Sequence, residues 1–162
     1  MIFVTVGSMF PFDRMIRLMD GWAARNASEE TFGQIGTGSY EPTHMRWTRR
    51  LGQKEFARTV AEARLIVAHA GMGSMITAGQ YGKPIVLLPR MERLGEHTTN
   101  HQIATANWFR GKPGVYVANT DADLEPCIEE ALAAGEVGVP RLASHAPPEF
   151  IARIRACILS QN

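Results

Sequence analysis

Short apolar runs alternate with amphipathic stretches along most of the chain. Ile2 to Val6 is a largely β-branched run closed by Gly7, and it reads as a buried strand of the parallel type. Beyond Pro11, the residues Met15, Ile16, Leu18, Met19 and Trp22 recur at helical spacing. Thr31 to Ile35 reads as a second strand, ended by Gly36-Thr37-Gly38. The polar stretch 39–52, with Pro42, reads as a loop around a short strand near Met45 to Thr48. Phe56, Val60 and Ala63 mark a helix that leads into the strand Leu65-Ile66-Val67-Ala68. A glycine loop at 71–73 then opens a helix to Tyr81, Gly82-Lys83-Pro84 breaks it, and Ile85 to Leu88 forms the next strand. The remaining pattern predicts a helix over 98–110, a strand at Gly114 to Val117, and a helix over 121–134 capped by Thr120 or Asp121. A final helix follows Pro147, over about 148–160.

Strands alternating with helices of this length imply an α/β fold with a single doubly wound parallel sheet. There is no internal repeat, low-complexity stretch or linker, so residues 1–162 read as one domain. A net charge of +1, without any basic block, gives no electrostatic footprint for nucleic acid. No apolar run approaches the ~18–20 residues of a membrane span, and the first residues lack a cationic leader, which predicts a soluble chain starting in a strand. Cys127 and Cys157 lie far apart and outside any CxxC pair, as expected of reduced cytosolic thiols.

In open α/β sheets, ligands bind beyond the carboxyl ends of the strands. Four loops there carry unusual chemistry: Gly7-Ser8; His69-Ala70-Gly71-Met72-Gly73-Ser74; Pro89-Arg90 with Leu94-Gly95-Glu96-His97; and Asn100-His101-Gln102. The 69–74 segment passes from strand to helix through small residues. Free N–H groups and the helix dipole at such a start favour phosphate, and Gly71 and Gly73 let a diphosphate approach the backbone. The other reading is a tight turn that needs glycine for steric reasons only. A dinucleotide fingerprint fails because Ile76 stands where its third glycine belongs. A P-loop fails too: Gly33 to Ser39 has the glycine spacing without lysine, and Gly82-Lys83 runs into Pro84. His97 and His101 are spaced to share zinc, but Thr98 stands where a zinc peptidase has glutamate. That cluster reads better as hydrogen-bonding groups for sugar hydroxyls, or as polar first-turn residues facing water. Arg90 reads either as a ligand for a departing anion, as does Lys54, or as a surface loop arginine, salt-bridged or solvated, and His69 reads equally as a structural histidine.

Five motifs in order, Val4-Thr5-Val6-Gly7-Ser8 with Pro11-Phe12-Asp13, Gln34-Ile35-Gly36, the 69–74 loop, Lys83 to Arg90, and Gly95-Glu96-His97 with Asn100-His101-Gln102, resemble the C-terminal domain of family 28 glycosyltransferases. The chain is similar above all to small catalytic subunits of split transferases. These are the dolichol-pathway N-acetylglucosaminyl transferase subunit and bacterial exopolysaccharide subunits of the glucuronosyltransferase kind. The resemblance implies a Rossmann-like, donor-binding half of a GT-B fold that takes a UDP-sugar without cofactor or essential metal; the alternatives are a non-catalytic UDP-sugar-binding regulatory module and a UDP-sugar epimerase-like domain. It also implies a membrane-anchored partner subunit that holds a lipid-linked acceptor, which places the chain in the cytoplasm at the inner face of the membrane. By position, Gly7, Ser8, Gly71, Met72, Gly73 and Ser74 would hold the diphosphate, and Leu51 and Gly52 would pack on uracil. Arg90, Glu96, Asn100, His101 and Gln102 would face the sugar or ribose. Thr77 occupies the place of a glutamate that binds ribose in many relatives, and Glu96 is the candidate to replace it. No residue stands out as the catalytic base, which in single-chain relatives comes from the acceptor half. The last helix carries an apolar stripe, Phe150, Ile151, Ile154, Ile158 and Leu159. By default it packs on the chain's own sheet; the family suggests docking on the partner instead.

Overall fold

The computed structural model describes residues 1–135, 137–140 and 146–159. The strands β1 (Ile2–Thr5), β2 (Thr31–Gln34), β3 (Arg46–Thr48), β4 (Leu65–His69), β5 (Ile85–Leu88) and β6 (Val115–Val117) form one sheet of order β3-β2-β1-β4-β5-β6. All neighbours are parallel, with Val4 of β1 in register with Gly33 on one side and Val67 on the other. Parallel strands are covered on both faces, which is why β5 is apolar throughout and β1 and β4 are apolar up to their last residues, Thr5 and His69. Alternation along each strand then divides the core in two. Ile2, Val4, Val67 and Val86 face α1 (Asp13–Arg25) and α5 (Leu124–Ala133), meeting Met15, Met19 and Ile128. Phe3, Ile66, Ala68 and Leu87 face α2 (Gln53–Glu62), α3 (Met72–Tyr81) and α4 (His101–Phe109), meeting Val60, Met75 and Ala106.

The order reverses between β1 and β4, because the chain leaves β1 toward β2 and β3 and returns to the other side for β4. The loops after those two strands therefore part, opening a crevice at their carboxyl ends. The 71–73 loop, the β1 loop and the start of α2 all reach this edge.

Three helices depart from the sequence expectation. The one expected over 98–110 begins only at His101, because Glu92–Leu94 form a 3-10 turn whose first N–H is taken by the Asn100 carboxamide. The one expected over 121–134 starts with a 3-10 turn at Asp121–Asp123, where Asp123 accepts the Thr120 N–H at 2.9 Å. The last helix, α6 (Pro148–Leu159), buries none of its residues, so the default expectation that its stripe packs on the chain's own sheet is corrected. Residue 160, the expected end of that helix, lies outside the described residues. Among the described residues no helix is long and apolar enough to cross a membrane.

At the opposite edge of the sheet, residues 137–140 run across the starts of β5 and β6. Val139 N–H donates to Lys83 O at 3.3 Å and the Val139 side chain is buried. This close passage needs glycine: a Cβ on Gly114, whose φ is +70°, would lie 2.3 Å from the carbonyl carbon of Gly138. Gly114→Ala should therefore lose about 3 kcal/mol, from the left-handed backbone and the clash together. For a chain of this size that is roughly 6–12 °C in Tm. Calorimetric melting of the variant checks it, and an unchanged Tm would refute the close passage.

Candidate functional site

The crevice at the reversal point holds a cleft of about 630 Å³, within the range of small-ligand sites. One wall is the start of α3. Its N-cap is Gly71, whose lack of a side chain leaves the first N–H groups of the helix without a cap. Gly73 and Ser74 line the cleft, and a Cβ placed on Gly73 would meet nothing within 4 Å. The open donors and the positive end of the helix dipole suit an anion. Met72 is nearly half exposed, with its side chain outside the lining.

His69 ends β4 directly beneath this wall, its Nδ1 3.5 Å from the Ser74 hydroxyl. The ring occupies the space that side chains at Gly7 and Gly71 would need, since Cβ atoms there would come within 2.6 Å and 2.4 Å of it. The glycines thus serve the packing of His69 as well as any ligand. Burial, with the Arg90 charge second, pushes the imidazole down from 6.5 to about 4, so it is neutral at physiological pH.

Arg90 forms the floor. It is 2 % exposed, its Nη2 donates to Val6 O at 2.7 Å and Phe10 O at 2.6 Å, and its guanidinium lies 4.9 Å from the Phe12 ring centre. Its own N–H donates to the Gln102 carboxamide at 3.1 Å. Its Nε has no hydrogen-bond partner among the described residues. Burial lowers this guanidinium to about 10, partly offset by the Glu96 charge, and it remains a cation. The expectation of a surface loop arginine is therefore corrected.

The other residues expected to face a sugar divide. Gln102 is buried and lines the cleft. Glu96 is placed elsewhere: Arg14 grips its carboxylate through Nε at 2.7 Å and Nη2 at 2.8 Å, and the Met91 N–H adds a third bond at 2.9 Å. Held in this way, Glu96 fixes the 91–96 turn and lies outside the cleft lining, away from the place of the ribose-binding glutamate at Thr77. Arg14 also bonds Pro89 O and pairs with Asp121, so one guanidinium on α1 joins two points of the β5–α4 connection to the turn before α5. Asn100 closes on Glu92 through both ends of its carboxamide, and His101 is exposed with its Nδ1 2.5 Å from the Thr99 hydroxyl. Neither lines the cleft, nor does the exposed Lys54. Leu51 and Thr77 do line it, while Gly52 caps α2 just outside.

The structure adds Gln34, Gln53 and Phe56 to the lining, and of the two histidines in the cluster expected to face sugar hydroxyls it places His97 there. Gln34 ends β2 at the edge where ligands bind, which is the sequence signal that would have found it. His97 stacks edge-on against Phe10 at 5.1 Å, and burial, followed by the charges of His101 and Arg90, lowers its pKa. A second cleft, of about 550 Å³, lies at the opposite edge between Glu62, Tyr81, Lys83 and Gly135. The carbonyl ends of α2, α3 and α5 converge there, and Lys83 donates to Ala61 O at 2.6 Å, so its helix ends do not offer the open N–H donors found at the start of α3.

A sheet of this order, a cleft at its reversal point and a helix start left open beside it form a nucleotide-binding arrangement. The family model described as the glycosyltransferase family 28 C-terminal domain matches residues 1–134. The chain belongs to that family. Among solved structures, ALG13 superposes with a TM-score of 0.60 at 17% identity, over 89% of this chain and 90% of that one. The glycotransferase of kitacinnamycin gives 0.62 at 18% identity, over 80% of this chain and 34% of that one. SnogD from Streptomyces nogalater gives 0.51 at 19%, over 96% and 42%. At these identities the likeness is one of fold, that of the C-terminal half of GT-B glycosyltransferases. The chain spans about a third of the length of the kitacinnamycin enzyme. A search of curated proteins by sequence returned no match.

The buried neutral His69 makes stability depend on pH. Its folded pKa lies below its unfolded one, so protonation favours the unfolded chain, and stability is lost as pH falls from 6.5 toward 4. The loss should be on the order of 3 kcal/mol. Urea titrations at pH 7, 5.5 and 4 should show it in the native chain and not in His69→Gln. An identical pH profile for the two would show that His69 is not the cause.

Proposed function

We propose that this chain is the donor-binding subunit of an inverting glycosyltransferase. It would move a sugar from a UDP-sugar, with UDP-glucuronate and UDP-N-acetylglucosamine as the candidate donors, to a lipid-linked acceptor in polysaccharide synthesis. The observation that carries this reading is the uncapped start of α3 opening on the cleft at the reversal point of the sheet. There the diphosphate accepts from backbone N–H groups and the Ser74 hydroxyl, while the buried Arg90 cation beneath adds a field that stabilises departing UDP. The sugar lies toward Gln102 and His97, and the base toward Leu51 and Phe56.

An inverting transfer also needs a base for the acceptor hydroxyl. No carboxylate lines the cleft among the described residues, and the reading assigns the base to a partner, as the family resemblance implies. In GT-B enzymes the reaction takes place between two halves, and a membrane-anchored partner would supply the second. Two observations support a separate partner. The likeness to ALG13 covers nine-tenths of that chain, and α6 exposes Phe150, Ile151, Ile154, Ile158 and Leu159 along one helix. Docking of α6 would place the chain peripherally at the cytoplasmic face of the membrane.

The isolated chain should bind UDP, seen by calorimetry and as a rise in Tm, and should bind NAD and ATP more weakly. Gly73→Asp should fold normally, because its Cβ enters open space, and should lose UDP through bulk and negative charge. Transfer of label from a UDP-sugar to lipid should be near background for the chain alone and restored by co-expression with the partner, since positioning and base catalysis each contribute orders of magnitude. Ending the chain before Pro147 should weaken that complex. Binding of NAD or ATP without UDP would defeat the donor assignment, and robust transfer by the isolated chain would defeat the two-subunit reading.

A further inference from the structure

The side of the cleft away from the sugar bears on which nucleotide it takes, an inference that rests on the donor reading above. Thr77 lines the cleft on α3, three residues beyond Ser74 and on the same side of the helix. That is about 4.5 Å along the axis, so a nucleotide with its diphosphate at the helix start lays its pentose against Thr77. Across from it stand Gln53, Leu51 and Phe56.

A ribose is usually selected by a carboxylate that accepts from its 2′-hydroxyl. No carboxylate lines this cleft among the described residues, and three acids close to its lining in sequence bond to protein donors. Asp13 accepts from Ser39 N–H at 3.0 Å, Ser39 Oγ–H at 2.6 Å and Tyr40 N–H at 3.3 Å. Glu55 accepts from Gly52 N–H at 3.3 Å at the start of α2. Glu96 is held by Arg14 and the Met91 N–H. Among the described residues lining this side of the cleft, the groups offered to the pentose are the Thr77 hydroxyl and the Gln53 carboxamide. Hydrogen bonds between neutral groups exchange with water and discriminate by less than about tenfold, whereas one to a carboxylate discriminates by roughly ten- to a hundredfold. At the base, Leu51 and Phe56 offer apolar surface, with Phe56 packed edge-on against Phe3 at 5.6 Å. A 5-methyl group on the pyrimidine would add contact with that apolar surface.

We infer that the cleft does not select for the ribose 2′-hydroxyl, and that 2′-deoxynucleoside diphosphate donors, thymidine diphosphate sugars among them, bind as well as uridine diphosphate sugars. Calorimetric titration of the full chain with UDP, dUDP and dTDP tests this. UDP against dUDP isolates the 2′-hydroxyl, and dUDP against dTDP isolates the methyl group. All three should bind within about fivefold of one another. Thr77→Glu, checked for folding by circular dichroism, should turn the pair into one that prefers UDP over dUDP by at least tenfold. A wild-type preference for UDP over dUDP beyond fivefold overturns the inference and leaves the donor site standing. Failure of all three to bind overturns both. The wild-type comparison decides even where Thr77→Glu does not fold.

Discussion

A buried guanidinium without a carboxylate in contact is an expensive thing to fold around, and Arg90 is one. Its charge is met by two carbonyls of the β1 loop, by the face of Phe12 and, at longer range, by Glu96. Those contacts fix the conformation of residues 6–12, while the Gln102 carboxamide ties the Arg90 backbone to the first turn of α4. The walls of the cleft made by the β1 loop, the β5 loop and α4 therefore share one anchor. Arg14 acts one layer outside, gripping Glu96, Pro89 O and Asp121, so that the 91–96 turn cannot move independently of α1. A cation held this way leaves a net positive field under the cleft. An anion bound at the α3 start gains from that field without any side chain having to move.

Which parts of this were visible in the residues follows from how local each cause is. β1, β4 and β5 announce themselves because strands covered on both faces must be apolar along most of their length, and the order of strands and helices then restricts the sheet to a few topologies. The helix start at 71–74 is likewise local, a run of small residues between an apolar strand and a helix. Glu96 was misread for the opposite reason. Its partner Arg14 is 82 residues away, and nothing within its own loop shows that its oxygens are already occupied. Arg90 looks like any loop arginine until the β1 loop folds over it. His101 shares helical spacing with His97 and its ring lies edge-on 4.6 Å from the His97 ring, but it is exposed and outside the cleft lining. The stripe on α6 was legible as apolar, but periodicity reports only that a face wants cover, not which molecule covers it.

The glycines show how one residue type answers different demands in a single chain. Gly7 and Gly71 clear room for a buried imidazole, Gly73 borders open space, and Gly114 accepts a left-handed turn under another strand of backbone. A sequence motif records all of these as the same letter. Only the first pair and Gly73 bear on the site, and only Gly73 stands where a side chain would enter the cleft without meeting the protein.

The two edges of the sheet complete the argument. At one edge the carbonyl ends of α2, α3 and α5 converge, Lys83 donates into the end of α2, and the 137–140 segment crosses over the start of β5. Negative helix ends are met there by a cation from the chain itself, and the backbone passes so closely over Gly114 that the edge is partly closed. At the other edge the polarity is reversed and left uncompensated: the α3 start carries no side-chain cap, the carboxylates nearby are held by protein donors, and the floor is cationic. A helix has the same dipole at both its ends, so the difference lies in what the loops supply. Here they satisfy the carbonyl ends within the chain and leave the amide end for a bound anion, and this asymmetry directs the fold toward a phosphate ligand at one edge only.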